Sequence, residues 1–172
     1  MNKLNLGSGH DYKKGFVNLD SNRFHKADVY ADLNKKLPFK NNTFDYILAS
    51  HILEHFENVD KLLKEIHRVA KPLAIIRIYG PHYSGRFALK VLDHKSYFGL
   101  GTLSGYTSLC PERFFPILFD LLEEKLFFFR PQYKIFKKIN FLFNFNKKWQ
   151  AICERFNPVG FDEVHYTLRV IK

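Results

Sequence analysis

The sequence is short of cysteine and of long apolar stretches. Its 172 residues include only two cysteines, Cys110 and Cys153, in unrelated surroundings, so neither a disulfide framework nor a cysteine zinc site is predicted. No stretch approaches the roughly 18 apolar residues of a membrane-spanning helix. The first glycines come before an apolar run could form, so we expect no signal peptide and a cytoplasmic protein.

Acidic residues are also scarce, which leaves the chain strongly basic. There are 27 lysines and arginines against 17 aspartates and glutamates, a formal net charge of +10. Between Lys125 and Arg155, eight basic residues occur with a single acid, Glu154, and with seven of the 19 phenylalanines. This segment 125–155 fits nucleic acid, an anionic membrane surface or a phosphorylated substrate as a partner. The same composition is equally expected if the lysines lie on the surface of one ordinary fold and the phenylalanines lie in its interior.

The remaining composition indicates one folded domain. Hydrophobic residues make up 46% of the chain and charged residues 26%, an ordinary globular balance. A chain of 172 residues suits one domain with one core. No repeat, low-complexity tail or domain boundary stands out, so residues 1–172 are predicted to form a single domain.

The first half of the chain alternates predicted strands with a helix. The strands are predicted at Lys3–Leu6, Gly15–Asp20, Ala27–Asp32, Phe44–Ala49 and Leu73–Tyr79. Apolar residues at three-four spacing from Val59 to Val69 predict an amphipathic helix, with Asn58 as its N-cap and Pro72 ending it. This order is typical of parallel βαβ architecture.

The second half is less regular. Gly99, Gly101 and Gly105 mark a loop. The pattern then predicts a helix over Pro111–Glu124, a strand over Lys125–Phe129, a helix over residues 147–156 and a final strand over Val164–Ile171.

A glycine loop followed by a strand-end acid predicts a nucleoside ligand. Gly7 and Gly9 follow the first strand, and Asp20 ends the second. Glycine lets the backbone approach a ligand, and an acid at a strand end can accept both hydrogens of a ribose diol. Tyr12 occupies the position of the third glycine of a dinucleotide site, and too few residues remain before Gly15 for the helix that would face pyrophosphate. A nucleoside without pyrophosphate, such as S-adenosylmethionine, is therefore favoured.

Seven short motifs run through the first half in a fixed order. They are Leu4-Asn-Leu-Gly-Ser-Gly9, Val17-Asn-Leu-Asp20, Asp28-Val-Tyr-Ala-Asp-Leu33, Leu37-Pro-Phe39, Phe44-Asp45, His51-Ile-Leu-Glu-His55 and Glu65-Ile-His-Arg-Val-Ala-Lys-Pro72. Together they resemble class I methyltransferases, most closely the compact type 11 branch. The resemblance implies a Rossmann-like α/β fold with a mostly parallel sheet, an antiparallel last strand and a short loop in place of the first helix. Residues 1–84 would be the cofactor-binding half and residues 85–172 the acceptor side.

The resemblance also implies roles for individual residues toward S-adenosylmethionine. The glycine motif, with Asn5 where relatives carry an acid, would pass beneath the methionine moiety, and the acid ending the second strand would hold the ribose. Asp32 and Leu33 would flank adenine, while Ser50 and His51 would close over the cofactor near the sulfonium. The predicted cofactor residues are thus Asn5, Gly7, Gly9, Asp20, Asp32, Leu33, Ser50 and His51.

Two motifs depart from the pattern of the relatives. Lys71-Pro-Leu-Ala74 stands where a Lys-Pro-Gly-Gly turn is usual, and Asp93-His94-Lys95 shortens an Asp-Pro-Thr-His-Lys motif. The first departure makes the expected turn after the predicted helix less certain. The second bears on the acceptor site.

Acceptor chemistry is predicted just beyond the later strands. Open α/β sheets place ligands at the carboxyl ends of their strands, and His82 follows the fifth strand. Because transfer to a hydroxyl needs a base, His82 and His94 are the predicted catalytic residues, with Tyr83 as a further candidate. A loop residue that caps backbone explains His82 equally well. We expect a small-molecule or glycan acceptor that is methylated at oxygen.

Several alternatives stay open. His51-Ile-Leu-Glu54-His55 matches a zinc-protease pattern, but that chemistry requires the motif on a helix and a third ligand downstream, so no metal is predicted. Segment 125–155 favours a nucleic-acid acceptor or a peripheral membrane contact. A non-catalytic protein of the same fold in a larger assembly would bind cofactor weakly or not at all.

Overall fold

The computed structural model of the chain describes residues 1–110, 115–130, 137–156 and 160–172. Its strands are β1 (Lys3–Leu6), β2 (Val17–Asp20), β3 (Val29–Tyr30), β4 (Phe44–Ser50), β5 (Ala70–Pro81), β6 (Phe119–Phe127) and β7 (Glu163–Val170). Its α-helices are α1 (Val59–Val69), α2 (Arg86–Lys90), α3 (Lys137–Phe143) and α4 (Lys147–Phe156). Two short 3₁₀ helices occupy Leu53–His55 and Ser104–Tyr106.

The strands form one seven-stranded sheet in the order β3-β2-β1-β4-β5-β7-β6. Strands β1 to β5 pair in parallel, whereas β7 is antiparallel to both of its neighbours, β5 and β6. The predicted α/β fold, with its mostly parallel sheet and antiparallel last strand, is therefore confirmed. One consequence is that β7 begins at the sheet edge where β4 and β5 end.

Helix α1 confirms the predicted amphipathic helix and its cap. The Asn58 side chain accepts a hydrogen bond from Lys61 N at 3.1 Å, which satisfies one of the otherwise unpaired N–H groups of the first turn. The face that meets the sheet carries the buried side chains Leu62, Leu63, Ile66 and Val69.

Pro72 does not end this helix as predicted. The chain leaves α1 at Val69 and enters β5 directly at Ala70, so Pro72 lies within the strand. The β4–β5 register shifts between Phe44 and Tyr46, which pair with Ala70 and Ile75. The irregularity tolerates a residue that cannot donate to the ladder, because proline has no N–H.

The second half of the chain corrects one prediction and adds elements that the sequence pattern missed. Of the helix predicted over Pro111–Glu124, residues 111–114 lie outside the described residues, and Phe119–Glu124 belongs to strand β6. Pairing with β7 along its whole length buries Phe119 and Leu126, so tertiary packing overrides the helix-forming leucines and glutamates. The strand predicted over Lys125–Phe129 is the end of β6. Helices α2 and α3 were not predicted, whereas α4 and β7 were.

The core is built around the central strands. Its largest fully buried side chains include Tyr166, Phe44, Phe119, Phe161, Leu4, Leu6, Leu19 and Ile47. None of the helices in the described part of the chain has the length and apolarity needed to cross a bilayer.

Leu73 holds a backbone conformation that favours glycine. Its φ is 62°, in the left-handed region, where the Cβ atom of an L-residue is crowded by the backbone. Its side chain is 70% exposed and gains little from burial. In place of a Lys-Pro-Gly-Gly turn the chain continues as strand β5, and Leu73 holds a left-handed conformation there that glycine would adopt with less strain.

We expect Leu73→Gly to stabilise the protein by about 0.5–1 kcal/mol, because relief of the left-handed strain exceeds the added freedom of the unfolded chain. Urea denaturation measures the difference. Leu89→Gly is the matched control, because Leu89 is 71% exposed and lies within helix α2, where glycine costs about 1 kcal/mol. Destabilisation by both substitutions would contradict the argument from Leu73.

Candidate cofactor and acceptor site

The glycine loop after β1 adopts the conformation that its sequence requires. Gly7 has φ +65°, and a Cβ at this position would lie 2.4 Å from Ile52 Cδ1. No larger residue fits there without displacing Ile52. Gly9 has φ +50°, and its N–H donates to Asp20 Oδ2 at 2.6 Å. The loop is thus anchored both to the end of β2 and to the residues that follow β4.

Asp20 stands where the sequence places it, at the end of β2 beside the glycine loop. Its side chain is nearly buried, and Oδ1 accepts a hydrogen bond from Asn22 N at 2.7 Å. Each carboxylate oxygen has two lone pairs, so Asp20 retains acceptor capacity after these two backbone contacts. The structure brings Gly7, Gly9 and Asp20 together, while ribose binding by Asp20 stays a prediction.

A network of polar side chains replaces the missing first helix. Residues 10–16, all of them described, form turns without a helix. Asn18 is fully buried; its Oδ1 accepts from Lys13 N at 2.8 Å, and its Nδ2 donates to Asp28 Oδ2 at 2.9 Å. Asn5 Nδ2 donates to Asn18 Oδ1 at 3.0 Å and to Asp11 O at 2.8 Å. Asn5 therefore braces the loop, and its predicted place near the methionine moiety stays a prediction.

The predicted adenine contacts lie in two different environments. Asp32 is half exposed and accepts hydrogen bonds from Asn34 N at 2.9 Å and Asn34 Nδ2 at 3.0 Å. Both bonds lower the pKa of Asp32, and the bond from the Asn34 backbone has the larger effect. Leu33 is buried in the hydrophobic core. Contact of either residue with adenine stays a prediction.

A cluster of ionisable side chains occupies the sheet edge where β4 and β5 end and β7 begins. We call His51, Glu54, Glu163 and His165 the strand-end cluster. His51 Nε2 lies 3.1 Å from Glu163 Oε1, and His51 Nδ1 lies 3.3 Å from Glu54 Oε1. His165 Nε2 lies 2.8 Å from Glu163 Oε2, and its ring stacks on Tyr79 with centroids 3.9 Å apart. His51 is thus held between two carboxylates.

The electrostatics of the cluster follow from burial and pairing. Burial lowers the pKa of His51, but hydrogen bonds and charges from Glu163 and Glu54 outweigh it and raise the pKa to about 9. Burial raises the pKa of Glu163, but its bonds to His165 and His51 outweigh it and lower the pKa to about 2. Burial lowers the pKa of His165 and is only partly offset by Glu163. At neutral pH the cluster therefore holds a charged His51 and a neutral His165.

Sequence patterns gave no role to Glu163 or His165. Both lie at the start of the last strand, and a prediction that β7 is antiparallel places that start at the ligand-binding edge. A polar Glu-x-His pair at the beginning of an otherwise buried strand was the available signal. Ser50, the last residue of β4, is half-buried beside His51, and contact of either residue with the cofactor stays a prediction.

His82 lies at the end of β5 but does not face an open cleft. Its side chain is 0% exposed. Ser84 N donates to His82 Nδ1 at 3.2 Å, which leaves Nε2–H to donate to Glu154 Oε1 at 2.8 Å. Both ring nitrogens therefore have partners. This geometry does not favour the predicted role of His82 as a base, which stays a prediction. The neighbouring Tyr83, the further candidate, is 46% exposed.

His94, the second predicted catalytic residue, lies apart from His82 and next to His55. The two rings meet edge to face, with centroids 5.1 Å apart. His94 Nδ1 donates to Ala88 O at 3.0 Å, because a carbonyl oxygen can only accept. His67 of helix α1 contacts Ile171 O through Nε2 at 2.7 Å.

The depressed pKa of Glu163 predicts a stability change in acid. A carboxylate whose pKa is lowered on folding stabilises the protein above its ordinary pKa of about 4.5, and this contribution is lost as the pH falls toward about 2. The difference in unfolding free energy between wild type and Glu163→Gln should therefore shrink steadily below pH 4.5. Urea denaturation at several pH values measures it. A difference that stays constant across this range would show that Glu163 is not stabilised as a carboxylate.

Comparison with known proteins agrees with this architecture. Residues 7–78 match the family described as a methyltransferase domain. The crystal structure of a S-adenosylmethionine-dependent methyltransferase from Archaeoglobus fulgidus superposes with a TM-score of 0.63 at 16% identity, covering 98% of this chain and 85% of that one. This likeness shows the fold.

The chain spans less than two thirds of the length of two curated relatives that it matches. An uncharacterized protein of Methanocaldococcus jannaschii is 24% identical over 169 residues, which cover 98% of this chain and 62% of the relative. A sterol 4-C-methyltransferase of Caenorhabditis elegans is 48% identical over 44 residues, which cover 26% of this chain and 13% of the relative.

The match over residues 7–78 includes the glycine loop, the ends of β2 and β4, helix α1 and most of β5. The predicted family, the enzyme class and S-adenosylmethionine as cofactor are confirmed by this match together with the fold. Residues 7–78 of the chain belong to the methyltransferase-domain family, and the sheet has the fold of the S-adenosylmethionine-dependent methyltransferase on which it superposes.

Proposed function

We propose that the protein transfers a methyl group from S-adenosylmethionine to a hydroxyl of a small-molecule or glycan acceptor at the strand-end cluster. The observation that carries this proposal is the packing of Ile52 on Gly7. Ile52 follows His51 directly, so the glycine loop and the cluster are neighbours. A cofactor over the loop would present its methyl group toward His51.

Cofactor binding rests on groups supplied by β1, β2 and β4. The space beside Gly9 is open to a ligand, while Gly7 makes room for Ile52. Asp20 supplies a carboxylate for the ribose hydroxyls, and Asp32 and Leu33 follow β3 on the adenine side. Ser50 and His51 close the site at the sulfonium end. The bound cofactor supplies a methyl group already activated by its positive sulfur, so the protein contributes chiefly alignment and exclusion of water.

The acceptor hydroxyl must lose a proton during transfer, which favours the strand-end cluster as its binding place. Two carboxylates and two imidazoles meet there within hydrogen-bonding distance or close to it. The carboxylates of this network can orient a hydroxyl, and the neutral imidazole of His165 can accept its proton. His82 is sealed beneath this edge and pairs with Glu154, so we assign it to positioning the loop after β5. His94 lies outside the cluster.

A nucleic-acid acceptor is the second candidate. Helices α3 and α4 and the turn between them expose aromatic and basic side chains together: Phe141, Phe145, Trp149 and Phe156 with Lys138, Lys147, Lys148 and Arg155. Aromatic rings stack on bases and lysines contact phosphates, so this surface fits single-stranded nucleic acid. Exposed Leu142 and Ile152 on the same helices fit a lipid surface better. RNA binding with a steep salt dependence would favour the second candidate.

Asp20→Asn should weaken binding of S-adenosylhomocysteine by about 1–3 kcal/mol, because ribose hydroxyls lose a charged acceptor. Isothermal titration calorimetry measures the change. Asp11→Asn is the matched control, since Asp11 lies in the neighbouring loop with its side chain 66% exposed in an ion pair with Lys13. An unchanged dissociation constant in a folded Asp20→Asn variant would make Asp20 a loop anchor only.

The proposed activity is tested by incubating the purified chain with methyl-labelled S-adenosylmethionine and separate pools of hydroxylated metabolites, glycans and RNA. Mass spectrometry should find the label on oxygen in the metabolite or glycan pool. His165→Gln should lower the transfer rate by about 10²–10⁴, as expected for loss of the group that accepts the proton. Asp120→Asn, which removes an ion pair with Arg169 on β6 and β7, should leave the rate unchanged.

Three outcomes would contradict the proposal. Label on RNA would favour the nucleic-acid acceptor. Label on nitrogen would remove the need for a proton acceptor at the cluster. Cofactor binding without transfer to any pool would indicate a non-catalytic protein with this fold.

A further inference from the structure

One side chain of the strand-end cluster, Glu54, and two neighbouring histidines bring metal-binding atoms together. Glu54 and His55 lie on the 3₁₀ helix after β4, and His94 lies on the loop after α2. One ligand atom from each lies within 4.8 Å of the other two. We propose that Glu54, His55 and His94 bind a divalent transition-metal ion, with Zn²⁺ as the representative ion.

Both histidines are oriented as metal ligands usually are. His94 Nδ1 donates to Ala88 O at 3.0 Å, and His55 Nδ1 lies 2.8 Å from the Asp93 carboxylate. An imidazole whose Nδ1–H is held by a carbonyl or a carboxylate carries its lone pair on Nε2. This is the arrangement found around metal-binding histidines, where the outer partner fixes tautomer and ring orientation. Each Nε2 is therefore prepared to bind a cation.

Glu54 supplies an independent reason for a cation. Its side chain is 1% exposed, and Oε2 is buried without a hydrogen-bond partner within the described residues. Its other oxygen, Oε1, lies 3.3 Å from His51 Nδ1. A buried carboxylate oxygen without a partner costs stability. A metal ion on Oε2 would remove this cost and leave the contact with His51 intact.

The backbone holds the two ligand segments together. Lys95 N and Ser96 N both donate to Glu54 O, at 2.7 and 3.1 Å, and Ser96 Oγ donates to Phe56 O at 2.6 Å. His94 directly precedes these anchored residues. Its position relative to Glu54 and His55 is thus fixed by hydrogen bonds that involve no ligand atom, which is what a preorganised metal site requires.

Two imidazoles and one carboxylate form the ligand set of open zinc sites, which leave a fourth position for water or an acceptor oxygen. The same set binds Fe²⁺ in other proteins. Ligand atoms around a tetrahedral zinc lie about 3.3 Å apart, so small rotations of the half-exposed His55 and His94 close the site. His51 is not a ligand, because Glu163 engages its Nε2. The site does not depend on the proposed acceptor or on methyl transfer.

Zn²⁺ titration of the purified, chelator-treated chain tests the proposal. We expect one Zn²⁺ per chain by competition with a chromogenic chelator at pH 7.5. His94→Asn should lower the affinity by at least about 100-fold, and Asp93→Asn, which changes only a partner of His55, by about 10–100-fold. Both residues lie on a surface loop, and circular dichroism confirms that the variants fold. Glu54→Gln should abolish the tight site as well.

His10→Gln is the control, because the His10 ring packs at a tilt against His25 with centroids 4.4 Å apart and this pair is an alternative place for Zn²⁺. The control should bind Zn²⁺ as wild type does. Absence of saturable binding to wild type would overturn the proposal. So would binding that survives in folded His94→Asn and is lost in His10→Gln, since the ion would then lie at the His10–His25 pair.

Discussion

The direction of the strands is the constraint on which the rest of the site depends. Parallel β1, β2, β4 and β5 all end at one edge of the sheet, and the antiparallel β7 begins there. Residues far apart in the chain are therefore delivered to one line: the glycine loop, Asp20, His51 and Glu163. A sheet with a parallel last strand would place Glu163 and His165 at the opposite edge, away from the cofactor loop. The strand-end cluster exists because the last strand reverses.

The cofactor half could be predicted because its requirements are local. Gly7 and Gly9 are required by the positive φ angles of one short loop, and Asn58 is required by the unpaired N–H groups of one helix. Each is visible within a few residues of sequence. Leu73 shows the limit of this local logic, since its left-handed backbone persists after the usual glycine is lost. There the irregular pairing of β4 with β5, and not the type of residue, sets the backbone conformation.

The structure of the acceptor side was predicted poorly, because contacts between residues far apart in the sequence determine it. The segment Phe119-Asp-Leu-Leu-Glu-Glu-Lys-Leu-Phe127 has helix-forming residues, yet its pairing with β7 makes it a strand. His51 and Glu163 are separated by 112 positions, so no periodicity in the sequence indicates their contact. The zinc-protease pattern at His51–His55 comes without the helix and the downstream third ligand that such a site requires. The fold supplies His94 as a ligand from a loop and diverts His51 to Glu163.

Histidines that lie near one edge of the sheet differ in chemistry because their partners differ. His82 follows a strand end, the place that favours catalysis, yet Glu154 and Ser84 take both of its nitrogens. Glu154 Oε1 also accepts a hydrogen bond from Leu100 N at 2.7 Å. Through Glu154, His82 therefore connects helix α4 and the loop of residues 99–105 to the end of β5. His51 is charged between two carboxylates, whereas His55 and His94 turn Nδ1 to an acceptor and keep Nε2 for a cation. Position at a strand end therefore selects candidates, and the partner of each ring nitrogen decides among them.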